Sequence, residues 1–204
     1  MPFRTLTALP GGSSLAIDRS GSVYAAGPNN IIAIYRHGSS VPTAALTDTL
    51  MTQLWAIAVD GEGNVFDNGT LSHGPSEPVS FQLDELPVHS GASIPLRTLG
   101  DVGGLAMGPG DSLVVQDSGF QTISVYPKPY LGQPSSSFVF GDQVGIAAMA
   151  LTKLRRTVWT TVPVLNGSIL GARFTLTGGT QLNTTQIIGR GYGSNGIAVD
   201  PVAL

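Results

Sequence analysis

The chain carries few residues suited to acid–base or metal chemistry, and their placement limits what that chemistry could be. Of its 204 residues, 13 are Asp or Glu, 3 are His and none is Cys. Asp, Ser and His fall close together in Asp67-Asn68-Gly69-Thr70-Leu71-Ser72-His73. Acyl transfer would need a nucleophile raised on a strained turn with a base in reach. No Gly-x-Ser-x-Gly frame surrounds this stretch. It is read instead as a loop after a strand, with Asp67, Asn68 and His73 as binding candidates and no catalytic residue assigned. His37, His73 and His89 are spaced too widely and irregularly for a metal motif, and solvated His is ordinary in loops. Asp18, Asp60 and Asp200 each close a short apolar run. Carboxylates at one recurring position could ring a hard cation. The same position opens a tight turn, where Asp caps through its side chain. Gly108 and Thr152 hold it in two other copies, which favours capping. No metal ligand is assigned and no cofactor is expected, a divalent cation being the one candidate.

The elements that would position these residues are repeats. Leu15-Ala16-Ile17-Asp18, Ile57-Ala58-Val59-Asp60, Leu105-Ala106-Met107-Gly108, Met149-Ala150-Leu151-Thr152 and Ile197-Ala198-Val199-Asp200 share one pattern, and their last residues lie 42, 48, 44 and 48 apart. Strand-like units at a period of roughly 40–50 residues mark a propeller or a similar array. Small turn residues follow each copy, then a second apolar run such as Val23-Tyr24-Ala25-Ala26, Val65-Phe66 or Leu113-Val114-Val115. A third strand is expected at Ile31–Tyr35, Val79–Leu83, Thr122–Tyr126 and Ile169–Phe174. A more polar fourth is expected at Thr43–Leu46, Pro95–Leu99, Ser137–Phe140 and Thr184–Ile188. Polar, Pro-flanked strands suit a sheet edge.

The expected fold is therefore all-β, a single β-propeller domain over 1–204 built of four-stranded antiparallel blades. Full blades run roughly over 14–46, 55–99, 103–140 and 146–188, with a partial fifth from 1–9 and 195–204. Four full blades and a lone fifth inner strand predict an open arc, or a ring completed by another copy through its open edge. Truncation of a larger propeller would explain that count most simply. Insertions at Asn68–Pro78 and Asp84–Ser93 are expected as long loops of the second blade, and variable loops on a regular scaffold are where binding concentrates.

Composition closes other routes. Hydrophobic residues make up 42% and charged residues 11%, with 27 Gly and 14 Pro; this suits short strands and tight turns rather than disorder. A net charge of −3 leaves no basic footprint for nucleic acid. No apolar run reaches the length of a membrane helix, and Met1-Pro2-Phe3-Arg4 does not open a signal peptide. Low charge with abundant Thr, Ser and Gly is nevertheless the flavour of exported proteins. Tyr24, Tyr35, Trp55, Phe66 and Trp159 are read as packing between blades.

Gly196-Ile197-Ala198-Val199-Asp200 and Trp55 to Phe66, with a short turn ending in Gly63-Asn64, resemble the NHL repeat of β-propellers. Pro95-Leu96-Arg97-Thr98-Leu99-Gly100 and Thr122-Ile123-Ser124-Val125-Tyr126-Pro127 are also similar to that family. The family's usual Asp after the second strand stands here as Asp117, while Ala26 and Thr161 hold comparable places. The resemblance implies a propeller and, most often, a binding role, with Asp117 as a further loop candidate. The function expected is thus a non-catalytic module that binds protein or glycan through loops at one channel mouth. The alternative is a metal-assisted enzyme of the virginiamycin B lyase or gluconolactonase-like type, whose carboxylates and His gather at one mouth.

Overall fold

Alternating apolar positions separated by turn residues fold as antiparallel hairpins, and the computed structural model is built of them. It describes residues 6, 14–71, 79–139, 149–151, 157–163 and 169–187. The first blade comprises β1 (Ser14–Ile17), β2 (Val23–Ala26), β3 (Ile31–Tyr35) and β4 (Ala44–Thr47). The second comprises β5 (Met51–Val59), β6 (Val65–Leu71), β7 (Phe81–Leu86) and β8 (Ile94–Leu99). The third comprises β9 (Leu105–Met107), β10 (Leu113–Asp117), β11 (Thr122–Tyr126) and β12 (Ser136–Val139). The fourth comprises β13 (Met149–Leu151), β14 (Thr157–Pro163), β15 (Ile169–Thr175) and β16 (Gln181–Ile187). In every sheet the strands lie side by side in chain order. The protein is all-β, four four-stranded antiparallel blades of a β-propeller. Gly196–Asp200 and Phe3–Thr5 lie outside the described residues.

The chain divides into two compact units, Met1–Thr98 and Leu99–Leu204. In the first, Tyr24, Ala26 and Ile32 of the first blade pack with Leu54, Ile57, Val59, Val65 and Leu86 of the second. Apart from Leu54, set off from Ile57 by a register shift at Leu54/Ala56, these are alternate residues of their strands, so they share one face of each sheet. In the second unit, Val114, Ile123 and Val125 pack with Val158, Phe174 and Leu176, with Met149 and Leu151 against them. Each such side chain taken from water contributes about 1.5–3 kcal/mol. Tyr24 is buried in the cluster shared by the first two blades, as inter-blade packing requires; Tyr35 and Phe66 are buried as well, Tyr35 in a separate cluster with Ala25, Ala33, Leu6 and Val23.

Local chemistry sets the turns. In the first two blades the turn after the inner strand ends on Gly21 and Gly63, at φ of 83° and 92°, a region glycine enters without a Cβ clash. The outer strand β4 is mostly exposed, as an edge strand should be, although Thr47 is its one polar residue.

One expectation differs. Asn68–Leu71 belong to β6 and Asp84–Leu86 to β7, so the start of each expected insertion is strand and not loop; 87–93 form the link to β8 as expected, and 72–78 lie outside the described residues. The cause is β5, nine residues long. It begins at Met51 and pairs with all of β6 through register shifts at Met51/Gln53 and Leu54/Ala56. Extra residues that find a hydrogen-bonding partner extend the ladder rather than bulge into solvent.

Candidate functional site

The residues singled out in the sequence separate into two kinds. Asp18 and Asp60 are turn caps. Asp18 Oδ1 accepts the Ser22 amide at 2.8 Å and the Ser20 hydroxyl at 2.7 Å. Asp60 Oδ1 accepts the Glu62 and Asn64 amides at 2.9 Å each, and Oδ2 the Asn64 side-chain amide at 3.0 Å. Burial raises the Asp18 pKa, but the hydrogen bonds from Ser20 and Ser22 outweigh it and hold it below the ordinary carboxylate value. Asp200 and His73 lie outside the described residues.

Asp117 ends β10, and its carboxylate gathers four backbone amides: Gly100 at 2.9 Å, Asp101 at 3.2 Å, Gly119 at 3.0 Å and Phe120 at 3.1 Å. Asn68 lies within β6, fully buried, and its Oδ1 accepts the Ala56 amide at 3.0 Å. Gln116 does the same to the Gly104 amide at 3.3 Å in the third blade. A side-chain amide here ties the second strand to the chain entering the first. His37 and His89 are exposed, in the links between β3 and β4 and between β7 and β8.

Asp67 is different. Strand alternation turns it away from Asn68, onto the face that carries Val65. Its cross-strand partners are Ile57 on β5 and Asp84 on β7. Asp48, in the link from β4 to β5, completes a group in which one carboxylate oxygen of each residue lies within 4.8 Å of the others. All three side chains are fully buried. In register, the Asp67–Asp84 pair corresponds to Ala25–Ala33 in the first blade, Val115–Ser124 in the third and Thr160–Ala172 in the fourth. The repeat thus supplies apolar or small neutral pairs at a place where the second blade puts two acids.

Few donors reach these oxygens. Asp48 Oδ1 accepts the Leu50 and Met51 amides at 2.7 and 3.2 Å. Asp84 Oδ1 accepts the Gln82 side-chain amide at 2.5 Å. Among the described residues no donor group reaches Asp48 Oδ2, Asp84 Oδ2 or either oxygen of Asp67; the acids meet only one another there, Asp48 standing within hydrogen-bonding reach of Asp67 and Asp84. Burial, then the charges of Asp48 and Asp84, push Asp67 well above the ordinary carboxylate value. Burial is also the main influence on Asp84; it and the Asp48 charge prevail over the Gln82 hydrogen bond, leaving it at about 6. Neighbouring Asn30 takes the Asp48 amide on its carbonyl at 3.1 Å and donates its side-chain amide to the Met51 carbonyl. Its Oδ1 is another buried oxygen without a partner.

Such a group is a set of hard oxygen donors, and alternatively a nest of acids sharing protons. With no surface exposed, it offers nothing for a substrate to reach. The sequence reading named Asp67 but neither Asp48 nor Asp84. Aligning the four blades position by position would have revealed Asp84, since only the second blade puts an acid there. Asp48 follows the outer strand of its blade, where the later links carry Asp101 and Asp142 at comparable places, so nothing in the sequence singles it out. No protein-family model matches the chain, and no curated protein matches it in sequence.

Proposed function

We propose that this chain is a non-catalytic β-propeller interaction module whose partner is a protein, a second copy of the chain being the first to test. One observation carries the reading. Leu15 and Ile17, on one face of β1, are 66% and 67% exposed. Their counterparts in the second blade, Ile57 and Val59, are 2% and 7% exposed because the first blade covers them. The counterparts in the fourth blade, Met149 and Leu151, pack on the third. The same face of the first blade also carries Ala25, Ala33 and Tyr35, which are buried with Leu6 and Val23 packed against them. Two adjacent aliphatics at positions that the repeat otherwise covers therefore stand open to solvent.

Aliphatic side chains favour a protein surface over a glycan, because burial of apolar area is what they contribute. A second copy presents the same face, so an isologous contact of aliphatic against aliphatic is self-complementary. Two side chains fall well short of the roughly 1,200–2,000 Å² buried in a standard stable interface, so the contact is expected to be weak and concentration-dependent. The NHL-like pattern supports a binding role. The enzymatic alternative gains nothing from Asp48, Asp67 and Asp84, because a catalytic metal keeps a position open to substrate.

Sedimentation velocity across a range of concentrations tests the proposal. The wild-type sedimentation coefficient should rise with concentration, and Leu15→Asp/Ile17→Lys should abolish the rise without lowering Tm. A wild-type chain that stays monomeric at the highest concentration, or a variant that associates equally well, would remove its basis.

A further inference from the structure

We infer that Asp48, Asp67 and Asp84 form a binding site for a hard divalent cation, calcium being the ion they fit best, buried between the first two blades. Position comes first. Asp67 alternates with Val65 along β6, and Asp84 with Leu86 along β7. Val65 and Leu86 both belong to the core shared with Tyr24 and Ile32 of the first blade. The acids therefore lie on the face that meets that blade, with Asp48 supplied by the link that joins the two.

A cluster of carboxylates alone would not justify a ligand, and the second observation is what these oxygens lack. Asp67 is fully buried, and among the described residues no amide or hydroxyl donor reaches either of its oxygens; its hydrogen-bonding neighbour is another acid, Asp48. A buried carboxylate with no donor to satisfy it is among the most costly groups a core can hold. Most buried polar atoms in folded proteins are paired, and one that is not calls for an explanation such as an ion. Asp48 Oδ2, Asp84 Oδ2 and Asn30 Oδ1 likewise lack a donor. Together these make five buried oxygens on four residues, and a single cation would satisfy several of them at once.

Chemistry then selects the ion. The donors are carboxylate and amide oxygens, with no Cys in the chain and no His in the group, which excludes soft or imidazole-seeking metals. One oxygen of each acid lies within 4.8 Å of the others, close enough for a single cation to reach all three. Calcium takes about 6–8 oxygens at roughly 2.3–2.6 Å in flexible geometry and accepts an all-protein cage. Magnesium demands near-ideal octahedral geometry at about 2.0–2.1 Å and gives up its waters reluctantly, so a dry, buried site suits it less. A bound ion would tie β6, β7 and the link after β4 into one unit, making the packing of the first two blades dependent on calcium.

The test uses the whole chain, stripped of metal, at pH 7.5. It is titrated calorimetrically with calcium chloride and melted in calcium and in EDTA, with magnesium chloride as a parallel arm. The expected result is one-site binding and a Tm about 5–10 °C higher when calcium stands near a hundred times its Kd, with a smaller shift in magnesium. Asp67→Ala/Asp84→Ala, which installs the first blade's own Ala–Ala pair, should lose both the heat and the shift. Should that variant fail to fold, Asp67→Asn is read the same way, and the wild-type comparison stands without either. The absence of binding heat together with equal Tm in calcium and EDTA would overturn the inference, as would a double variant that still binds. A larger shift in magnesium would overturn the choice of ion.

Discussion

An acid at a core position is a statement about protons as well as metals. In metal-free protein, Asp84 is raised to about 6 and Asp67 well above its ordinary value. Both groups are raised in the fold relative to an unfolded value near 3.9, which fixes the sign. Below about pH 4 both states hold the proton and the fold carries no penalty. As pH rises toward 6 the unfolded chain ionises first, so stability falls; the Asp84 share levels off above that value, and Asp67, raised as well, acts in the same direction. In EDTA, the wild-type Tm should therefore fall from pH 4.5 to pH 7 relative to that of Asp67→Ala/Asp84→Ala. Parallel Tm profiles for the two proteins would contradict this account of the cluster. Asp18 has the opposite sign, being held low by Ser20 and Ser22, and loses its contribution only on further acidification. Asp67 was visible in the sequence as a site residue but was placed in a loop. Its inward direction depends on β6 continuing past it, and that depends on a partner strand some ten residues earlier.

Strands with clean alternation between turn signals were legible from the sequence to their ends. Ile31–Tyr35 and Thr122–Tyr126 were expected with the bounds that β3 and β11 take. Where pairing sets the length, sequence alone fell short. Blade two was expected from residue 55, yet β5 starts at Met51, because Thr52 and Gln53 break the apolar pattern while the register shifts absorb them. Asp117 shows the same limit for function. The resemblance to NHL repeats made it a loop candidate, whereas its side chain is occupied by four backbone amides, two before β9 and two after β10. Asp117→Ala would strand those donors in partly buried surroundings. It should destabilise the protein by about 2–4 kcal/mol, measured by urea unfolding, whereas Arg36→Ala, at an exposed position after β3, should cost under about 1 kcal/mol. Equal losses would mean that Asp117 does not anchor the chain between the third blade's strands.

Repetition made the blade architecture readable at the scale of the whole chain: five related segments at near-regular spacing announced the sheets before any strand was assigned. What repetition hides is the position where one copy departs from the rest. The acids of the second blade and the uncovered Leu15 and Ile17 of the first are both departures of that kind, and both carry the functional reading. The absence of Cys offers a direct way to ask whether that uncovered face meets another molecule, since Ile17→Cys introduces the sole thiol. Its alkylation rate should be measured from low to high protein concentration, beside Phe120→Cys, an exposed position in the other compact unit. The account predicts that the Ile17→Cys thiol becomes progressively protected as concentration rises while the Phe120→Cys thiol does not; a constant rate at Ile17→Cys over the whole range would contradict it.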